Sequence, residues 1–417
     1  MSQEERGAAL KGKIGALLGI LLMALSLRAA VVSVPPLLQR MQENLVFTEF
    51  STGLLAMLAP IAFAVFGLLT PRLIRGWGLE RTLVLAVVLA VVGQVIRPWV
   101  GEVWLFLALS VVTLAGYGMG NVVLPPLVKK YFPKHIGLVT SGYVTMLAVG
   151  TWIAPQFSVP LANLTSWQLS IGSWALLSGI VLLPWAIQLL ADRKIDRPDH
   201  LPTAPGTAPA VRINPWRSKV AWGLAIYLAG NSAQTYVYFT WLPPYLVDQG
   251  VSEASAGSML ALFAILGLPV SLLVPLWVPK LRHPLIAVGI FTLCWIGGHL
   301  GVYFSPTQNT ALWVALAGLG QGTFAIALLM MNLRSRTTYG SGVLSGFAQG
   351  LGYAGAAIVP MLFGVVRQAT NSWAVAFSML GLCIVVMLLG AIMINPPRTI
   401  EDDAPGGEAL GGRERIG

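Results

Sequence analysis

Long uncharged runs alternate with short polar connections along this 417-residue chain, and the connections are mostly basic. About 20 consecutive apolar residues suffice for a helix to cross a bilayer. Runs of that kind predict twelve helices, over 14–38, 50–70, 82–100, 103–128, 136–160, 167–190, 218–247, 254–277, 284–304, 310–332, 340–366 and 372–394. Between the sixth and seventh, the pattern breaks into mixed charge with Pro198, Pro202, Pro205, Pro209 and Pro215, which reads as a semi-extended linker. The chain divides accordingly into a terminal segment 1–13, a six-helix half 14–191, the linker 192–216, a second six-helix half 217–395 and a tail 396–417. The tail is rich in Gly and charge and is expected to be disordered.

Hydrophobic residues make up 56% of the chain and charged ones only 10%, which is the composition of an integral membrane protein. The net charge of +10 does not indicate nucleic-acid binding, because the basic residues sit in short clusters between apolar runs. One set of connections carries Arg72, Arg75 and Arg81; Lys129, Lys130 and Lys134; Arg193, Lys194 and Arg197; Lys280 and Arg282; and Arg334 and Arg336. The alternate set carries little beyond Arg40, Arg97 and Arg367. By the positive-inside rule the first set and both termini are cytoplasmic, in a multi-pass protein of the inner membrane. Lys11 and Lys13 precede the first run as in a signal peptide, but that run is too long and Arg28 interrupts any cleavage region, so it is expected to stay as a helix. Cys294 and Cys383 both lie inside predicted spans and make neither a disulfide framework nor a metal cluster.

The two halves repeat. Leu114 to Gly120 (LAGYGMG) matches Leu316 to Gly322 (LAGLGQG), Pro35-Pro36 matches Pro243-Pro244, and Ser141-Gly142-Tyr143 matches Ser345-Gly346-Phe347, all near one offset of 204 residues. Parallel repeats of this kind place a substrate site near the midplane, at the interface between them. In the first helix, Arg28 is the one charge in an otherwise uncharged span. A central arginine costs about 2.5–3.5 kcal/mol on insertion scales and far more in simulations, so it faces protein, water or ligand rather than lipid. Every carboxylate lies at or between span ends. Two readings of Arg28 stand: it holds an anionic or electronegative substrate, or it is satisfied by backbone carbonyls near Pro35 and Pro36 or by snorkelling.

The duplicated twelve-span plan resembles the major facilitator superfamily. Ser26 to Leu38 (SLRAAVVSVPPLL), Gly120 to Pro133 (GNVVLPPLVKKYFP), Asn231 to Ser258 (with WLPPYL and SEASAGS) and Leu344 to Gly364 (LSGFAQGLGYAGAAIVPMLFG) resemble its cyanate and nitroimidazole permease branch. The resemblance runs from roughly residue 11 to 397. It implies a secondary transporter working by alternating access on cyanate-like or nitroimidazole-like substrates. One departure is plain: where the superfamily usually has GxxxDRxGRR, Gly67 to Gly78 reads GLLTPRLIRGWG, with Pro71 in the aspartate's place. The aspartate-centred gate latch therefore does not carry over, although Arg72 and Arg75 remain as gating candidates.

Spacing adds further candidates. Asn231, Gln234, Tyr238 and Trp241 fall on one side of the seventh helix, and Ser345, Gln349 and Tyr353 recur every four residues in the eleventh. Tyr117, Asn121 and Gln321 lie beside the glycines of the fourth and tenth spans, and Trp152 is a candidate cavity wall. For each, interhelical hydrogen bonding or packing is the competing reading. Gly116, Gly120, Gly318 and Gly322 are expected to permit close packing and sliding. His299 is the one titratable group besides Arg28 deep enough to consider for proton coupling, against a structural hydrogen-bonded role. No protease, hydrolase, nucleotide-binding or paired-cysteine metal pattern occurs, so no cofactor is expected and an enzyme is disfavoured. The functional expectation is a carrier of a small anion or compact electronegative heteroaromatic, acting as a monomer in the bilayer. Efflux of larger apolar compounds is the alternative transport reading, and a receptor or embedded enzyme the non-transport one.

Overall fold

The computed structural model describes residues 3–192, 213–281 and 284–403. The protein is all-α. Its long helices are α1 (Gln3–Val32), α2 (Glu49–Trp77), α3 (Leu79–Ile96), α4 (Val103–Tyr131), α5 (Ile136–Leu164) and α6 (Trp167–Asp192), then α7 (Lys219–Asp248), α8 (Glu253–Trp277) and α9 (Leu285–Phe304). After these, Thr310–Gly320 and Gly322–Leu333 together form α10, followed by α11 (Thr338–Thr370) and α12 (Trp373–Ile394). Ten helices among the described residues are long and apolar enough to cross a membrane. α7 is outside that group because Asn231, Ser232, Gln234, Thr235 and Tyr236 interrupt its apolar surface. In α1 the described apolar stretch is shorter, Ile14–Ala29.

Three expectations are corrected. The first helix ends at Val32 rather than 38, and Pro35–Leu37 forms a separate 3-10 turn. Two successive prolines offer no N–H to a helical ladder, so the chain breaks there. The matching Pro243 and Pro244 are instead carried inside α7, which continues to Asp248. The tenth helix is interrupted at Gln321, between Gly320 and Gly322, each of which weakens a helix by about 1 kcal/mol relative to Ala. The tail is ordered as far as Asp403: Ile400–Asp403 is a short helix whose Ile400 and Glu401 are buried. Glu401 accepts from the backbone N–H groups of Arg336 and Thr337 at 2.9 Å each and from the Thr337 hydroxyl at 2.8 Å. A carboxylate at the positive end of α11 satisfies donors that the helix itself cannot. The rest of the tail, and linker residues 193–212, lie outside the described residues.

Within the first set, α1 packs on α5 and α6, and α4 on α2 and α3; within the second, α7 packs on α11 and α12, and α10 on α8 and α9. The repeat survives as tertiary structure. Trp167 Nε1 donates to Asn44 Oδ1 at 2.7 Å, and Trp373 Nε1 to Asp248 Oδ2 at 2.5 Å, with the partners displaced by 206 and 204 positions. The two sets meet through the equivalent pairs α2–α11 and α5–α8, and these contacts are close at the end carrying the basic clusters.

Small residues make that approach possible. A Cβ added at Gly346 would lie 2.3 Å from Pro71 Cγ and 2.7 Å from the Gly67 carbonyl oxygen; one at Gly137 would lie 2.6 Å from the Pro275 oxygen. The Ser141 hydroxyl also donates across the boundary to the Leu272 carbonyl. Lys129 of α4 adds a charged contact, donating to Asn332 O at 2.8 Å, to Ser335 O, and to Ser335 Oγ at 3.3 Å beyond the end of α10. At the opposite end a cavity of about 710 Å³ opens beside Pro243, Pro244, Val247, Asp248, Ala256 and Gly257.

Overpacking a close contact of this kind costs about 1–3 kcal/mol. Gly346→Ala is therefore expected to lower the unfolding temperature in detergent and to raise thiol labelling of an Ile74→Cys reporter at the same boundary. Gly381→Ala adds a Cβ that meets nothing within 4 Å and is expected to do neither. If the two alanine variants behave alike, the α2–α11 contact is not what holds the basic end shut.

Candidate functional site

Arg28 lies in the last turns of α1, and its guanidinium reaches across the boundary between the two helix sets. Nη2 donates to the Tyr353 hydroxyl of α11 at 3.1 Å, and the Tyr236 phenol of α7 is a second hydrogen-bond partner. The Tyr353 oxygen also accepts from Asn121 Nδ2 of α4 at 3.0 Å. The other hydrogen of that amide goes to Gln349 Oε1 at 2.5 Å. Gln349 Nε2 in turn donates to Ser345 Oγ at 2.6 Å and to the Asn121 carbonyl at 3.3 Å. Phe63 of α2 packs edge-on against Tyr353, with ring centroids 5.3 Å apart. Asn121, Gln349, Tyr353 and Phe63 are all buried.

This network joins five helices and both sets, and its logic follows from donor counts. The two amide groups spend their N–H bonds on each other and on near neighbours. Tyr353 accepts twice through one oxygen, so its own proton remains to donate. The guanidinium has five N–H donors and no acceptor, and in these contacts it meets neutral phenols. All sixteen carboxylates of the chain lie in connections, termini or helix ends, so none sits in the interior of a span with Arg28. The site therefore presents a fixed positive charge and a hydroxyl donor beside an aromatic ring. That combination suits a small anion.

Of the residues the sequence singled out, Arg28, Asn121, Ser345, Gln349 and Tyr353 come together here, and the rest do not. The stripe Asn231, Gln234 and Tyr238 turns into the second helix set. His299 Nε2 lies 2.8 Å from Gln234 Oε1 and Nδ1 lies 2.9 Å from the Tyr238 hydroxyl, while Gln234 Nε2 donates to Gly230 O at 3.0 Å. Because Gln234 presents an acceptor and the tyrosine can donate, the neutral Nε2–H form of His299 satisfies every group. Asn231 Oδ1 accepts from Thr323 Oγ1 at 2.5 Å, again within the second set.

Tyr117 is sequestered in the first set with Gln94 Oε1 at 2.7 Å and Ser178 Oγ at 2.6 Å. Gln321 donates to the Phe263 carbonyl at 2.6 Å, bridging the break in α10 to α8. Trp152 is 44% exposed on the outer surface of α5, so it is not a wall of this cluster. Arg72 and Arg75 are exposed at the basic end.

The four glycines expected to act as sliding surfaces pack within single sets. A Cβ at Gly116 would meet Ala86 O at 2.2 Å, one at Gly120 Met23 Cε at 1.9 Å, one at Gly318 Leu266 Cβ at 3.0 Å, and one at Gly322 the Phe291 ring at 2.7 Å. The glycines that face the other set are Gly67, Gly137, Gly342, Gly346 and Gly350. Tyr236 and Phe63 were not reached from the sequence. Tyr236 belongs to a second polar row on α7, with Ser232 and Thr235, which was masked by the longer row facing the other way.

The family model described as Major Facilitator Superfamily matches residues 16–360. The 2-nitroimidazole transporter of Escherichia coli (strain K12) is 32% identical over 386 residues, covering 91% of this chain and 94% of its own. The cyanate transport protein CynX of the same organism is 24% identical over 385 residues, covering 92% and 97%. Among solved structures, the proton:xylose symporter XylE bound to 6-bromo-6-deoxy-D-glucose superposes with a TM-score of 0.73 at 16% identity, over 95% of this chain and 98% of that one, a likeness of fold alone.

The neutral hydrogen-bonded setting of His299 yields a direct expectation. His299→Gln should lower stability but leave the shape of the pH profile of transport unchanged between about pH 5 and 8, where histidine titrates. Loss of an inflection present in the wild type would return proton coupling to His299.

Proposed function

Because the chain belongs to the Major Facilitator Superfamily, we propose that it is an alternating-access transporter, not an enzyme, that moves a small anion or a compact electronegative heteroaromatic. The observation that carries this reading is Arg28, a membrane cation whose contacts are neutral phenols. The relatives point the same way, since one is named for cyanate and another for 2-nitroimidazole. Arg28 would hold the ligand's negative charge, Tyr353 would donate its hydroxyl proton to it, and Tyr236 would offer a second phenol. Asn121, Gln349 and Ser345 would position Tyr353. Phe63 would present an aromatic surface to a flat ligand.

The architecture proposed is twelve spans in two six-helix halves, with α1 counted as a span although its described apolar stretch is the shorter Ile14–Ala29, and α7 although polar residues interrupt it. These are the helices that carry Arg28 and Tyr236, the polar groups a substrate pathway would use. By the distribution of basic residues, the basic end and both termini face the cytoplasm of a cell whose inner membrane holds the protein as a monomer. The close approach at Gly346, Gly137 and Lys129 then closes the cytoplasmic side, and the state described faces outward. Rocking of the halves would open that side. Gating is assigned to these cross-boundary residues.

A ligand that binds only the folded protein stabilises it by about 2.7 kcal/mol at a hundredfold excess over its dissociation constant. Cyanate, benzoate or 2-nitroimidazole is expected to raise the unfolding temperature of the wild type and to leave Arg28→Ala unmoved. Equal stabilisation of both proteins would remove Arg28 from the site. Stabilisation by large apolar compounds alone would favour multidrug efflux.

A further inference from the structure

We propose that a heteroaromatic ligand enters the Arg28 site as its conjugate base, an azolate, and that the neutral azole is not a substrate. This rests on the reading of Arg28 as the ligand anchor and goes one step further, to the ionisation state in which the ligand is taken.

The donor and acceptor inventory carries the inference. Arg28 can only donate, and Tyr353, accepting from Arg28 at 3.1 Å and from Asn121 at 3.0 Å, has its proton left to give. Gln349 Oε1 is already taken by Asn121 at 2.5 Å. The Asn121 amide directs its nitrogen at Tyr353 and Gln349. Tyr236, bonded to Arg28, keeps one lone pair, so the site faces a ligand with donors in excess of acceptors. A neutral azole brings an N–H that needs an acceptor and a single ring nitrogen that can accept. An azolate brings two accepting ring nitrogens and no donor, so it meets both Arg28 and the Tyr353 hydroxyl without stranding a polar hydrogen.

Charge points the same way. A neutral ligand would leave Arg28, a membrane cation beside neutral phenols, still without a counter-charge, a costly arrangement. An azolate supplies the missing charge spread over a flat ring, which Phe63 and the tyrosines can flank. A linear inorganic anion such as cyanate would meet the same requirement, since it too presents a delocalised single negative charge. An electron-withdrawing nitro group on an azole acidifies its ring N–H, which makes nitroazoles the heterocycles most readily taken in this form.

The test compares 2-nitroimidazole with 1-methyl-2-nitroimidazole, which keeps the ring and nitro group but cannot ionise. Binding to the purified full-length protein is measured by calorimetry across the pH range in which 2-nitroimidazole ionises, with ionisation read from its absorbance in the same buffers. Benzoate, already ionised throughout, serves as the control for changes in the protein. Affinity for 2-nitroimidazole is expected to rise about tenfold per pH unit below its ionisation midpoint and then level off, in proportion to the competent fraction. Benzoate affinity is expected to stay flat, and the methyl derivative to bind at least about tenfold more weakly than the azolate, a factor worth 1.4 kcal/mol.

Equal binding of the methylated compound, a pH-independent affinity for 2-nitroimidazole, or no binding of 2-nitroimidazole at any pH would overturn the inference. In each of those cases, benzoate or cyanate binding lost in Arg28→Gln would leave the anion reading standing. If neither benzoate nor cyanate binds the wild type, or if both bind Arg28→Gln unchanged, that reading falls and takes this one with it. Arg28→Lys, which retains the charge, is expected to keep the pH dependence at reduced affinity.

Discussion

An arginine in the interior of the first span, with no carboxylate in the interior of any span, is the constraint on which the rest of this structure depends. Elsewhere in a protein an arginine can be paired with an acid and forgotten. Here the pairing groups are the Tyr353 and Tyr236 phenols, which take the guanidinium's hydrogens without cancelling its charge. The amides of Asn121 and Gln349 are committed to holding Tyr353 in place. The outcome is a cluster in which the charge of Arg28 meets neutral groups and the Tyr353 proton is left to give, and on the reading proposed above an anion completes it. Because Arg28 and Asn121 come from the first helix set and Tyr236, Gln349 and Tyr353 from the second, a ligand held in that way would touch both parts of the molecule.

The basic end solves a related problem without acids in the loop between α2 and α3. Pro71 stands where the superfamily usually has an aspartate, and it packs against Gly346 instead of making an ion pair. Lys129 finds acceptors in the carbonyl oxygens of Asn332, in the last turn of α10, and of Ser335 just beyond it, where backbone carbonyls lack helical donors of their own. Contacts to neutral carbonyls and glycine faces are weaker individually than a buried ion pair and carry less desolvation cost each time they re-form. A boundary that must open and close in each cycle is well served by that kind of contact.

How much of this was legible in the sequence depended on whether a residue's partner was nearby in the chain. Arg28 stood out because a charge in an apolar run is conspicuous without any partner. Gln349 and Tyr353 stood out through a four-residue spacing, and the helix plan followed from hydropathy with errors mainly at Pro35-Pro36 and Gln321. Two polar rows on α7 could not be told apart by periodicity, and the longer one, Asn231 to Tyr238, turned inward to His299 and Thr323 while the shorter one supplied Tyr236. Glu401 read as part of a disordered tail because the N–H groups it caps, on Arg336 and Thr337, are about 65 residues away and the positive end of a helix leaves no mark in composition. The gating glycines failed for the same reason: small residues announce close packing, and only the fold says against what.

The polar cores of the two helix sets sharpen the contrast with the Arg28 cluster. Tyr117 with Gln94 and Ser178, and His299 with Gln234 and Tyr238, are clusters of neutral groups within one set. The His299 cluster is closed, whereas Gln94 Nε2 is left as a buried donor without a partner among the described residues. Each ties together helices of a bundle that must move as a rigid body. The Arg28 cluster crosses the boundary, contains the charge, and leaves the Tyr353 proton over. Polarity of similar amount thus does different work in the two settings, and the difference lies in the charge and in whether the partners come from one helix set or both.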